Sequence, residues 1–165
     1  ISAPIDTVFS WFKDLDKNYL KWHPSTHQEF VWLSGKPIDK GTKFYFREDI
    51  EGHKHTLFMV FTEYVENKRL SFVSESIHVE SKILPDKVMC FLSSIFKIRL
   101  EMIRKFKPVS DHETVIYTTH RLSCQLPLLN RLVEWFIGSF VFSSQYHENH
   151  MKEENENMKL DLEAK

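Results

Sequence analysis

The sequence predicts an α+β fold: an N-terminal helix, an antiparallel meander and one long C-terminal helix. Three observations predict it, namely an apolar stripe of helical spacing at the start, period-two alternation through the middle, and a return to helical spacing from Leu126 onward. The run Ala3-Pro4-Ile5-Asp6-Thr7-Val8-Phe9-Ser10-Trp11-Phe12 carries proline near its start and sets Ile5, Val8, Phe9 and Phe12 on one stripe, so it reads as a helix ending near the polar cluster Asp14 to Asn18. From about His27 the period is two, with Phe30 and Trp32 alternating with polar neighbours until Gly35-Lys36-Pro37 breaks the segment. Strands are expected at roughly 42–50, 54–65, 69–80, 97–107 and 113–123, with Gly52 and Glu66-Asn67-Lys68 as hairpin turns. Between His78 and Ser94, Pro85-Asp86 interrupts the pattern, and Val88 to Leu92 fits either a strand edge or a short helix.

The C-terminal stripe runs through Leu129, Leu132, Val133, Phe136 and Phe140 and continues through Ser143, His147, His150 or Met151, Glu154 and Met158. One helix of up to about 35 residues is implied. Its second half places His147, His150 and Glu154 where core side chains are expected. At about 100° per residue all three point into one space and can share one ion.

At 165 residues, with 42% hydrophobic and 14% aromatic content, the chain is long enough for one core and short for two, so residues 1–165 are read as a single domain. A net charge of −1 argues against a nucleic-acid partner, which selects a basic face. Cys90 and Cys124 stand far apart with no zinc-binding or disulfide-rich spacing, so reduced thiols and a cytoplasmic location are expected. No integral membrane segment is expected, because no apolar run of about eighteen residues occurs. With four glycines, the chain has no Gly-rich phosphate loop, and it also lacks a Gly-x-Ser-x-Gly elbow and a His-Glu-x-x-His pair. It begins at Ile1 rather than Met, and nothing in the sequence indicates its oligomeric state.

The segment Tyr19-Leu20-Lys21-Trp22-His23-Pro24-Ser25-Thr26-His27 brackets a proline with two histidines. Pro24 bars His23 from the helical region, so the histidines are expected on a stiff, non-helical elbow. Together with His147-x-x-His150-x-x-x-Glu154, the elbow suggests a divalent metal site of the zinc type, built from imidazoles and carboxylate without thiols. Alternation in Lys43-Phe44-Tyr45-Phe46-Arg47-Glu48-Asp49-Ile50 puts Glu48 on the face of Phe44, Phe46 and Ile50, where a carboxylate must be protonated, paired or metal-bound. Glu51 is the weaker candidate. His55 and His120 fall in expected strands and could face the same interior. Each feature also has a plainer reading. The helix charges can form a solvated acidic face, the aromatic residues a packed core, and the elbow a structural turn.

The order of helix, antiparallel strands and long terminal helix is that of the helix-grip fold, in which a curved sheet wraps the last helix around an apolar cavity. Ser2 to Phe12 resembles the start of the first helix in the START-related, Bet v 1-like (SRPBCC) superfamily of polyketide cyclases and lipid-binding domains. That resemblance implies a first strand ending near Ile1, truncated upstream. Tyr19-x-x-Trp22-His23-Pro24-x-x-His27 with Phe30-x-Trp32 resembles the 2,4-diacetylphloroglucinol hydrolase family. This implies zinc held by His27, Glu48, His150 and Glu154. His23 competes with His27, and Glu51 with Glu48; His27 is preferred on the expectation that it sits just before regular strand pairing begins. The implied activity is metal-dependent hydrolysis of a carbon–carbon bond in an acyl-phenol or related aryl ketone, with His23, His147 or Tyr146, or else Tyr45, supplying a proton. The alternatives are a non-enzymatic domain that binds a lipid, polyketide or other hydrophobic or aromatic small molecule, and an interaction domain whose last helix packs on a partner.

Overall fold

The computed structural model describes residues 1–34, 39–50, 52–80, 87–88, 97–124, 131 and 144–164, and the side chains of 144–147 are not among those described. Helix α1 spans Ile5–Lys13 and buries Val8, Phe9, Trp11 and Phe12. A second helix, α2 (Leu15–Trp22), begins almost at once, where the polar cluster was expected to end helical structure. The polar residues form its exposed face. Leu15, Asn18, Tyr19 and Trp22 keep helical spacing on the buried face, and the Asn18 amide is satisfied by donating to the Trp11 carbonyl at 2.8 Å.

The strands match the expected ones closely: β1 (His27–Ser34), β2 (Lys43–Ile50), β3 (His53–Val65), β4 (Arg69–Glu80), β5 (Arg99–Ser110) and β6 (Glu113–Ser123). They form one antiparallel sheet in sequence order. Gly52 and Asn67 turn two of the hairpins with positive φ, 79° and 56°, a region that glycine and asparagine enter most readily. Register shifts in β1/β2, β3/β4 and β5/β6 bend the sheet. Ile1 exchanges both backbone hydrogen bonds with Thr114 of β6, where the first strand of a helix-grip sheet was expected to end.

Helix α3 (Ser144–Glu163) closes the chain and buries His150, Glu154, Met158 and Leu162 at intervals of one turn. Its expected first half, the enclosure of an apolar cavity by that half, and most of the His78 to Ser94 segment lie outside the described residues. Helix α1 packs on β5 and β6, and α2 packs on β1 and α3. The inner face of the sheet is strongly aromatic: Phe44 lies with its ring centroid 5.1–5.8 Å from Phe30, Trp32, Phe61 and Phe72. No helix among the described residues is long and apolar enough to cross a membrane.

Candidate metal centre

Four side chains from three elements converge where α2 gives way to β1. Pro24 holds His23 in an extended conformation (φ −146°, ψ 80°), which stops α2, and a turn from His23 to Thr26 delivers His27 into the first position of β1. His27 therefore lies inside the paired strand rather than before it. Two residues of β1, Gln28 and Glu29, occupy the step between the pairs His27↔Glu48 and Phe30↔Phe46, and this bulge reverses the alternation. As a result His27 shares the inner face with Phe30 and Trp32 and stands directly opposite Glu48. Helix α3 brings His150 and Glu154 from the other side, one turn apart and both buried.

His27 Nε2 is 3.2 Å from Glu154 Oε1 and 3.7 Å from Glu48 Oε1, and His150 Nε2 is 3.6 Å from Glu154 Oε1. Donor atoms of His27, His150 and Glu154 all lie within 4.8 Å of one another. A charge-assisted N–H···O contact closes to about 2.7–2.9 Å. The edge of a coordination tetrahedron with bonds of about 2.0–2.1 Å is about 3.3–3.4 Å. The observed separations lie nearer the second figure: His27, His150 and Glu154 form a group of donors of the kind that a zinc-type ion takes, and Glu48 adjoins that group through His27.

Supporting contacts orient these groups. His27 Nδ1 donates to the Tyr19 carbonyl at 2.8 Å, which turns Nε2 toward the carboxylates, and the Tyr19 ring stacks on the imidazole at 4.0 Å. The Tyr19 hydroxyl donates to Glu48 Oε1 at 2.9 Å. Burial opposes charge on His27, but Glu154 and Glu48 outweigh it and raise the pKa above the ordinary histidine value. Burial opposes ionisation of Glu154 too, yet His27 and Arg104 bring its pKa below the usual carboxylate value. For Glu48, burial prevails over the pull of His27 and its pKa is raised.

His27, His150 and Glu154 come together, and Glu48 adjoins them through His27. His23 is buried and stacks on His150 at 4.3 Å, but its Nε2 faces Glu153 at 3.4 Å, and burial lowers its pKa. Tyr45 alternates with the buried Phe44 and Phe46 and lies on the outer face, which removes it as an internal proton source. Glu51 and the side chains of Tyr146 and His147 lie outside the described residues. His55 is buried on the inner face, paired with Glu48 across β2 and β3. Sequence reasoning assigned no role to Tyr19 or Arg104. The alternation Leu100, Met102, Arg104, Phe106 carried the same signal for Arg104 that identified Glu48.

No protein-family model matches this chain, and no curated protein sequence matches it. Solved structures do. The chain is similar to major latex-like protein 151 of Panax ginseng, with a TM-score of 0.66 and 10% identity over 98% of this chain and 91% of that one. It is similar to a START superfamily protein of Mycobacterium smegmatis, with a TM-score of 0.59 and 15% identity over 97% and 93% of the two chains. The Zhui aromatase/cyclase of Streptomyces sp. R1128 gives a TM-score of 0.63 at 12% identity, covering 99% and 88%. At such identities the likeness concerns the backbone alone, and the curved antiparallel sheet with its C-terminal helix is the helix-grip fold of these START and Bet v 1-like proteins.

Proposed function

We propose that this chain binds a hydrophobic or aromatic small molecule between the inner face of the sheet and the C-terminal helix. The helix-grip fold carries this reading, and the aromatic side chains Phe30, Trp32, Phe44, Phe46, Phe61 and Phe72 on the inner face of its sheet would supply an apolar wall for a flat ligand. Titration with the neutral apolar fluorophore N-phenyl-naphthylamine tests it. Saturable binding near one dye per chain is expected, and a folded chain that takes up no dye overturns the reading.

The buried histidine and glutamate cluster favours a second, narrower reading: a metal-dependent hydrolase that cleaves the carbon–carbon bond between a phenolic ring and its acyl group, as the resemblance to the 2,4-diacetylphloroglucinol hydrolase family implies. His27, Glu48, His150 and Glu154 would hold zinc. When bound, zinc supplies a Lewis acid for a ketone oxygen or lowers the pKa of a water. Tyr19 orients two of the ligands, one through its carbonyl and one through its hydroxyl. The aromatic wall would fix the phenolic ring, and His23, His147 or Tyr146 would deliver a proton to the ring carbon as the bond breaks. The test is elemental analysis of the untagged chain beside the double variant His150→Ala with Glu154→Ala. About one zinc per chain, lost in the variant, is expected. Folded wild type without metal overturns this second reading and leaves the first.

A further inference from the structure

Arg104 is a buried cation that the proposed metal centre does not use. It projects from β5 into the interior, 3% exposed, with its guanidinium 4.3 Å from the Trp22 ring centroid and 5.1 Å from that of Phe12. Glu154 and Glu48 act on its charge, but among the described residues no carboxylate forms an ion pair with it, and its Nη1 is buried without a hydrogen-bond acceptor. Trp22 Nε1, on the ring that Arg104 covers, is a second buried donor with no acceptor. The Trp22 ring in turn meets His27 edge-on, with centroids 5.8 Å apart. Two unsatisfied donors on touching side chains, one ring away from the candidate metal ligands, are costly to bury unless something accepts from them. Rings alone do not satisfy a guanidinium, which presents five donors in a fork matched to carboxylate-like oxygens.

Charge points the same way. With neutral imidazoles, Glu48, Glu154 and Arg104 sum to one negative charge. A divalent cation held by the two carboxylates turns this into one positive charge, which a singly charged anion would neutralise. That count rests on the metal reading above; the unsatisfied donors do not.

We infer that Arg104 is an anion-binding residue, and that the ligand of the interior is an apolar or aromatic molecule bearing one ionised oxygen group, a carboxylate, phenolate or enolate, received by Arg104 Nη1. The apolar body lies along the aromatic face of the sheet while the charged oxygen sits toward Trp22 and the metal ligands. This narrows the ligand class from any hydrophobic molecule to acidic ones.

Naphthoate and the isosteric neutral naphthamide, competed against N-phenyl-naphthylamine, test it in wild type and in Arg104→Met. Wild type is expected to prefer naphthoate by about 10- to 100-fold, the range of a charge-assisted hydrogen bond, and Arg104→Met to lose that preference. Equal affinity of wild type for the two probes overturns the inference and makes Arg104 a counter-charge to Glu48 and Glu154 only. That comparison needs no variant, so it decides the question even if Arg104→Met does not fold. A chain that holds no zinc and still prefers naphthoate keeps the role of Arg104 and loses the metal centre. A chain that binds the dye and zinc but not naphthoate in preference loses only this inference.

Discussion

His55 offers a quantitative test of how the interior treats charge. It is 2% exposed beside Glu48, and burial, reinforced by His53, lowers its pKa from 6.5 to about 4. Because the folded value is depressed, the unfolded chain takes up the proton first as pH falls. The stability associated with neutral His55 is therefore complete above the unfolded value and is lost progressively between about pH 6.5 and pH 4. With those two values, lowering the pH from about 7.5 to about 5 costs about 2 kcal/mol through this one group. Urea denaturation of metal-stripped wild type and His55→Gln at both pH values isolates it, since every other titrating group is common to the two chains. Wild type is expected to lose about 2 kcal/mol more than the variant. Equal losses would refute the argument and mean that water reaches the imidazole. The result bears on function, because a neutral imidazole at physiological pH can donate to or accept from a bound ligand.

Three further outcomes are expected. Tyr19→Phe keeps the ring stacked on His27 but removes the hydroxyl from Glu48, so it should weaken zinc binding by about 10- to 100-fold, measured by competition with a chromophoric chelator. Zinc at about a thousand times its dissociation constant should stabilise the wild type by about 4 kcal/mol, read from denaturation with and without chelator, and Glu154→Gln should abolish most of that increment. Phe44→Ala removes a ring, 1% exposed, that touches four aromatic neighbours, and should cost about 3–5 kcal/mol in denaturant unfolding.

Much of the fold and part of the site were legible in the sequence. Glu48 was found by parity because β2 pairs with β3 without a register shift. His150 and Glu154 were found because one turn of helix places them together whatever surrounds the helix. Arg104 is equally legible, since a cation among Leu100, Met102 and Phe106 breaks the alternation just as Glu48 does. Helix α2 was hidden because its polar residues, read as a break, form the solvent face of a short helix. His27 lies on the inner face although strict alternation back from Phe30 and Trp32 would turn it outward, because the β1/β2 bulge inserts a residue that no local propensity announces.

By itself the sequence determined the succession of elements, their turns and the aromatic inner face, because periods of two and 3.6 and the demands of proline, glycine and asparagine are local properties of the chain. Only the tertiary structure decided which histidine meets Glu48 and Glu154, that Tyr19 serves two of these groups at once, and that Arg104 and Trp22 leave donors unsatisfied beside them. Those facts depend on the β1/β2 bulge and on residues up to 127 positions apart in sequence meeting through the packing of α2 against β1 and α3, distances over which local pattern carries no information.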